Sequence, residues 1–104
     1  MRLVPALVLA LSTPHALAAD APPGRAKAQS CATCHGPLGL SVAPDAPNLA
    51  GQPRLYLASQ LKAFRSGKRM HEVMNVIARP LSDDDIEQLA DWYSSIAVDA
   101  KVKP

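Results

Sequence analysis

The sequence predicts an all-α fold of about three to five short helices. Two segments, 53–66 and 83–97, carry apolar residues at spacings of three and four, as expected of helices with one buried face. No alternating, β-branched segment that would indicate a strand lies near Cys31. Between the helical segments, glycine and proline recur at short intervals and predict loops.

The first 19 residues have the features of a secretory signal peptide. Arg2 precedes an apolar run from Leu3 to Leu11, and the stretch ends in the small-residue sequence Ala16-Leu17-Ala18-Ala19. The apolar run is much shorter than the roughly 18 residues that a membrane-spanning helix needs. We therefore expect cleavage after residue 18 or 19 and no membrane span in the mature protein, with an uncleaved signal anchor as the alternative. Residues 20–104 then form one domain.

The part of the mature chain around the two cysteines predicts a helix followed by a loop. The stretch from Gly24 to Thr33 has good helix propensity and predicts a first short helix. The stretch from Gly36 to Gln52 is interrupted repeatedly by glycine and proline, so it predicts a loop.

The second predicted helix begins near Pro53, which suits the first turn of a helix. Leu57, Leu61 and Phe64 follow at spacings of four and three and form one apolar stripe. Gly67 is the natural stop because glycine readily adopts the left-handed conformation of a helix end.

The last part of the chain predicts a loop and then a terminal helix. The segment from Lys68 to Pro80 has no clean apolar period, and Pro80 forbids a helix from continuing through it. Ser82 and Asp85 have the spacing of a capping box, which predicts a helix over 83–97. Its predicted buried face consists of Ile86, Leu89, Ala90, Tyr93, Ile96 and Ala97.

The two cysteines of the chain both lie in the motif Cys31-Ala32-Thr33-Cys34-His35. Two thiols three positions apart lie on one face of a helical turn, and each can form a thioether to a haem vinyl group. The adjacent His35 then brings an imidazole nitrogen to the iron. The motif therefore predicts one covalently attached haem c at Cys31 and Cys34, and with it an electron carrier.

A Cys-x-x-Cys pair also has two alternative interpretations, a zinc half-site and a thioredoxin-like dithiol. A zinc site needs two further ligands, and the other histidines are His15, which leaves with the signal peptide, and His71. A thioredoxin-like pair follows a strand in a βαβ pattern, which the surroundings of Cys31 do not show. Haem attachment is the interpretation that the sequence favours over both.

The order of these motifs resembles that of class I cytochromes c, and most closely the small bacterial monohaem type. It is also similar to single domains of the dihaem periplasmic cytochromes. The resemblance covers almost all of the mature chain. It is carried by Cys31 to Gly36, Pro47-Asn48-Leu49-Ala50-Gly51-Gln52, Leu61-Lys62-Ala63-Phe64-Arg65-Ser66-Gly67 and Leu81-Ser82-Asp83-Asp84-Asp85-Ile86. It implies the class I cytochrome c fold, with the helices of residues 20–104 wrapped around one covalently bound haem, and export to the bacterial periplasm.

The resemblance makes His35 the proximal iron ligand. An imidazole ligand is held by a hydrogen bond from its other nitrogen, and that bond needs an acceptor. Pro44 and Pro47 are both placed to supply a carbonyl oxygen, and Pro47 begins the stronger local match to the family. The alternative is that both prolines only stiffen the loop.

The distal ligand has three candidates in the chain, Met70, His71 and Met74. The resemblance places the axial methionine seven residues before Leu81, which is Met74. Many relatives have another methionine four residues before that leucine, a position that Ile77 occupies here. A methionine thioether raises the reduction potential of a haem relative to a second imidazole.

The resemblance implies reversible one-electron transfer between a redox protein donor and acceptor, without enzymatic chemistry on a substrate. The alternatives are a haem subunit of a larger periplasmic dehydrogenase complex and a gas-binding haem protein with an open iron site. A formal net charge of +2 gives no basis for binding nucleic acid. Six basic residues lie between the haem loop and the terminal helix: Arg54, Lys62, Arg65, Lys68, Arg69 and Arg79. A solvated helix face explains most of them, and any that surround the exposed haem edge would steer an acidic partner.

Overall fold

The computed structural model describes Leu3 and residues 22–104. Apart from Leu3, the predicted signal peptide and its cleavage site lie outside the described residues, so both stay predictions. Within the part that is described, no helix is long and apolar enough to cross a membrane.

Five α-helices and one 3₁₀ turn form the regular structure of residues 22–104, which contain no strand. The all-α prediction is thereby confirmed. The elements are α1 (Pro23–Lys27), the 3₁₀ turn (Ala28–Ser30), α2 (Ala32–His35), α3 (Arg54–Ser66), α4 (Glu72–Ala78) and α5 (Asp83–Ser94).

The two longest helices form close to where the sequence predicts them. Helix α3 ends at Gly67, whose φ of 82° and ψ of 3° are left-handed. Helix α5 begins with the predicted capping box, in which Ser82 and Asp85 each accept a hydrogen bond from the other's backbone N–H. It ends at Ser94 rather than at residue 97: the N–H of Ser95 is shared between the carbonyl oxygens of Asp91 and Trp92, and the N–H of Ile96 donates to Tyr93, three residues back.

The prediction of a continuous loop over 68–80 is wrong, because this segment contains the seven-residue helix α4. Val73, Val76 and Ile77 of α4 are exposed, so the apolar residues do not form the single buried stripe by which an amphipathic helix is recognised. The helix is instead defined by the side chain of His71, which caps its N-terminus. It stops before Pro80, as the sequence requires.

The hydrophobic core lies where α5 packs against α1, the 3₁₀ turn and α3. It consists of Ala28, Leu57, Ala58, Ile86, Leu89, Ala90 and Tyr93. Beside this core Gly24 of α1 lies directly against α5, since an added Cβ would lie 2.0 Å from the carbonyl oxygen of Gln88 and 2.8 Å from Cβ of Trp92. The absence of a side chain at Gly24 therefore brings α1 against α5.

Candidate functional site

The five residues of the cysteine motif form a single helical turn at the end of the 3₁₀ turn. Cys31 is the N-cap of α2, and His35 is its last residue. The backbone N–H of His35 donates to the carbonyl oxygen of Cys31 at 2.9 Å. Cys31 is partly buried, Cys34 is exposed, and neither is in a disulfide. The turn therefore presents two free thiols and one imidazole from adjacent positions.

The imidazole of His35 is 8% exposed, and its Nδ1 lies 2.8 Å from the carbonyl oxygen of Pro47. A carbonyl oxygen can only accept a hydrogen bond, so Nδ1 carries the proton and donates it. The lone pair of Nε2 is then free to bind a metal. Of the two prolines that the sequence offers as acceptor, the structure places Pro47 beside the ring.

The loop over 36–52 is folded back onto the motif by backbone hydrogen bonds. The carbonyl oxygen of Cys34 accepts from the N–H groups of Val42 and Ala43, at 3.1 and 3.2 Å. The loop starts at Gly36, whose φ of 82° and ψ of 160° belong to a region that only glycine adopts readily. A Cβ at this position would lie 1.8 Å from the carbonyl oxygen of Leu40. Gly36 therefore permits the reversal that returns Pro47 to His35.

Tyr93 of α5 lies beside the first thiol of the motif. Burial raises the pKa of the Cys31 thiol, so the thiol is protonated at neutral pH. Burial also raises the pKa of Tyr93, with a further contribution from Cys31. The Tyr93 hydroxyl makes no regular hydrogen bond with any described residue. Cys31 is thus partly buried against the core, whereas Cys34 is open to solvent.

The three candidates for a distal ligand have different environments. Met70 is 78% exposed in the turn before α4. The Nδ1 atom of His71 accepts hydrogen bonds from the backbone N–H groups of Val73 and Met74, both at 3.2 Å. Met74 lies in the first turn of α4 and is half-buried.

The residues present fit a covalently bound haem. The donor set comprises two free thiols, an imidazole whose Nδ1 is paired with a carbonyl oxygen, and the thioether of a half-buried methionine. Large apolar side chains are exposed on the two segments that carry the candidate iron ligands, which is the kind of surface that a porphyrin covers. They are Leu38, Leu40 and Val42 after His35, and Val73, Val76 and Ile77 around Met74.

Two of the predicted partner-steering residues instead join α3 to α5. Arg54 forms ion pairs with both Glu87 and Asp91, and Lys62 lies 3.3 Å from Glu87. The hydrogen bond and charge of Asp91 raise the pKa of Arg54 further, so its guanidinium stays charged.

Of the other four basic residues, two contact a named side chain and two form no ion pair. Arg65 lies 2.6 Å from Asp83 and lowers the pKa of that carboxyl, while Arg69 stacks on the ring of Phe64. Lys68 and Arg79 form no ion pair with any residue that the structure describes. Of the six, only these two have neither an ion pair nor an aromatic contact among the described residues.

Two further residues with a structural role at this site were not identified from the sequence. Gly24 sets the contact between α1 and α5. Asn75, next to Met74, makes three side-chain hydrogen bonds across the turn between α3 and α4. The signal that would have found Asn75 is its position, since asparagine side chains commonly bond to nearby backbone at helix starts and turns.

Comparison with known proteins agrees with this arrangement. Residues 23–97 match the family described as Cytochrome c. Over 81 residues the chain is 44% identical to cytochrome c-554(548) of Halomonas halodenitrificans, with 75% of this chain and 98% of that protein covered. Over 69 residues it is 41% identical to a protein of Stutzerimonas stutzeri named thiosulfate dehydrogenase electron acceptor, with 64% of this chain and 32% of that protein covered.

A solved structure shows the same fold. The crystal structure of reduced recombinant cytochrome c4 from Pseudomonas stutzeri superposes with a TM-score of 0.67 at 37% sequence identity, and the match covers 71% of this chain and 44% of that chain. The chain therefore spans nearly the whole of the Halomonas protein but less than half of the other two.

Proposed function

Because this chain belongs to the cytochrome c family and has the class I fold with one covalently bound haem c, we propose that it is a periplasmic one-electron carrier with His35 and Met74 as axial ligands. The observation that carries this proposal is the 2.8 Å contact between His35 of the Cys-x-x-Cys-His turn and Pro47 of the loop that follows it. It occupies Nδ1 with a carbonyl acceptor, so the other ring nitrogen, Nε2, is the one that can supply a lone pair to iron.

The residues of the turn have separate tasks in this proposal. Cys31 and Cys34 hold the group through thioethers, and His35 supplies the lone pair of Nε2 from a fixed ring. Haem c supplies reversible one-electron chemistry when bound. The Pro47 carbonyl holds the proton of Nδ1, so the imidazole keeps one tautomer and one orientation. A rigid, mostly buried ligand changes little when the charge of the site changes by one, which favours rapid transfer.

Met74 is the proposed distal ligand because the two alternatives, His71 and Met70, are less suitable in this structure. The Nδ1 atom of His71 is occupied as a helix cap, and Met70 is largely exposed to solvent. Met74 is half-buried and lies in the first turn of a capped helix. With both axial positions held by the protein, the chain acts as a carrier and not as an enzyme or a gas-binding protein.

Carbon monoxide binding tests the ligand assignment. The absorption spectrum of the reduced, exported holoprotein is recorded with and without carbon monoxide, for the wild type, Met74→Ala and Met70→Ala. We expect an unchanged spectrum for the wild type and for Met70→Ala, and rapid conversion to a carbonyl form for Met74→Ala. A wild type that binds carbon monoxide rapidly would contradict the carrier and favour the gas-binding alternative.

The mass of holoprotein from the periplasmic fraction tests whether the protein is exported and its signal peptide removed. Holoprotein recovered from the periplasmic fraction should have the mass of a chain that begins at residue 19 or 20, increased by one haem. A membrane-associated chain that still begins at Met1 would show an uncleaved signal anchor instead.

A second candidate is that the protein is the haem subunit of a larger periplasmic dehydrogenase complex. The observation that favours it is the name of the Stutzerimonas relative, which describes an electron acceptor of thiosulfate dehydrogenase. A dehydrogenase would then be the redox protein that donates the electron. Gel filtration of native extract separates the two candidates, because a free carrier elutes as a small protein and a subunit elutes with its complex.

A further inference from the structure

The side chains of His71 and Asn75, which precede and follow Met74, hold the turn that joins α3 to α4. Asn75 Oδ1 accepts a hydrogen bond of 2.7 Å from the backbone N–H of His71. Its Nδ2 donates to the carbonyl oxygens of Phe64 and Arg69, at 2.8 and 2.9 Å. The amide of Asn75 therefore uses its acceptor and both of its donor hydrogens within this one turn.

These bonds connect two helices and not just neighbouring residues. Phe64 lies in the last turn of α3, where carbonyl oxygens lack partners within the helix. Asn75 lies in α4, eleven residues further along the chain, and supplies one of those partners. The bond to Phe64 is partly shielded from solvent, so water competes with it less than at an open surface. The position of α4 on α3 therefore depends on the Asn75 side chain.

His71 fixes the start of α4 in a complementary way. Its backbone is extended, with φ of −156° and ψ of 130°, and its Nδ1 accepts from the N–H groups of Val73 and Met74. The ring also packs edge-on against Phe64, with centroids 6.4 Å apart. A helix of seven residues is far too short to be stable alone, so its caps and its contacts decide whether it forms.

We infer that His71 and Asn75 are positioning residues that hold Met74 in place, and that Asn75 makes the larger contribution. This inference rests on the proposed function, because it takes Met74 as the distal ligand. Neither side chain touches the bound group in this role. Both act by restricting the movement of α4 away from α3. Loss of either side chain should increase the fraction of molecules in which the thioether has left the iron.

Imidazole competition measures that fraction directly. Exogenous imidazole binds the oxidised holoprotein only when Met74 has moved away, so its apparent affinity rises in proportion to the open population. For Asn75→Ala we expect roughly a ten-fold tighter apparent Kd for imidazole, equivalent to about 1.4 kcal/mol. His71→Ala should show a smaller increase in affinity. His71→Asn should return toward the wild type, because asparagine is an effective N-cap.

Two comparisons separate positioning from general stability. Ser82→Ala removes the N-cap of α5, which should lower the thermal stability and leave the imidazole affinity unchanged. Asn75→Asp keeps the acceptor for the His71 N–H but turns a carboxylate oxygen toward the carbonyl oxygens of Phe64 and Arg69, which repel it, so it should bind imidazole at least as tightly as Asn75→Ala. Asn75→Asp also tests the inference if Asn75→Ala does not fold.

The outcomes distinguish this inference from the proposed function. If the wild type shows the near-infrared band of methionine-ligated ferric haem but the Asn75 variants bind imidazole no more tightly than Ser82→Ala, the positioning role is overturned. If the wild type lacks that band, or Met74→Ala binds imidazole as the wild type does, the distal assignment itself fails and the inference falls with it.

Discussion

The Nδ1 atom of His35 and the carbonyl oxygen of Pro47 lie 2.8 Å apart, although twelve residues separate them in the chain. The intervening loop brings them together through a reversal at Gly36 and two backbone bonds to the Cys34 carbonyl. The orientation of the imidazole is therefore a property of the loop conformation. Substitutions that disturb the loop should affect the metal site even when they leave all of its ligands unchanged.

Gly36→Ala tests this dependence. The new Cβ would lie 1.8 Å from the Leu40 carbonyl oxygen, and the backbone would occupy a conformation that alanine strongly disfavours. We expect the free energy of unfolding to fall by about 3 kcal/mol or more. The reduction potential should rise, because an imidazole without its carbonyl partner is a weaker donor to ferric iron.

The matched control is Gly67→Ala, at a glycine with the same φ of 82° and no atom within 4 Å of the added Cβ. It should cost only about 1 kcal/mol, from backbone conformation alone. Guanidinium unfolding and potentiometric titration of the holoproteins check both variants. Equal effects of the two substitutions would show that the reversal at Gly36 does not hold the ring of His35.

Gly24→Ala should destabilise the protein even though alanine has the higher helix propensity. The added methyl group would lie 2.0 Å from the carbonyl oxygen of Gln88, so α1 must move away from α5. We expect a loss of about 2–3 kcal/mol in the free energy of unfolding. Ala26→Ser, at an exposed position of the same helix, should change it by less than about 0.5 kcal/mol. Thermal unfolding compares the two, and a stabilised Gly24→Ala would contradict the close helix contact.

The sequence predicted the parts of this structure that depend on contacts between nearby residues, and it missed parts that depend on distant ones. The motif turn, the Gly67 stop and the Ser82 capping box are each set by residues within a few positions of one another, and all three form as expected. Helix α4 was missed because its stability comes from the His71 cap and from a bond between Asn75 and the end of α3, not from a buried stripe.

The close approach at Gly24 was missed for a related reason. Its cause is the backbone of Gln88, a residue more than sixty positions away, and no local pattern in α1 reveals that contact. The pairing of His35 with Pro47 was foreseen only through a family resemblance. The residues alone left Pro44 as an equal alternative, because glycine and proline indicate that a loop turns but do not say where it returns.

The ion pair between Lys27 and Asp85 should make the free energy of unfolding depend on pH in the acidic range. The hydrogen bond from Lys27, together with those of the Ser82 cap, lowers the pKa of Asp85 from 3.8 to about 2. A group whose pKa is lowered by folding stabilises the folded state above its unfolded pKa and loses that contribution as the pH falls through the folded value. The free energy of unfolding of the wild type should therefore decrease between about pH 4 and pH 2.

Lys27→Gln removes the first cause of the shift and should flatten this part of the pH profile. Lys68→Gln removes a lysine that forms no ion pair with a described residue and should leave the slope unchanged. Urea unfolding of the holoproteins across this range measures both slopes. A wild-type profile that is flat between pH 4 and pH 2 would show that the carboxyl of Asp85 titrates alike in the folded and unfolded chains.

Removal of the haem attachment should unfold the chain. The described residues bury eight hydrophobic side chains, of which four are alanines, and a domain of this size gains only marginal stability from such a core. A group held only by the folded chain adds its binding free energy to that stability. We expect Cys31→Ala combined with Cys34→Ala to give a chain without covalent haem, with reduced helical circular dichroism and no cooperative thermal transition.

Thr33→Ala alters an exposed residue of the same turn and should keep both the haem and the transition. Cooperative unfolding of the double variant would show that the helices pack without the bound group, and the exposed apolar side chains around Met74 would then need another explanation.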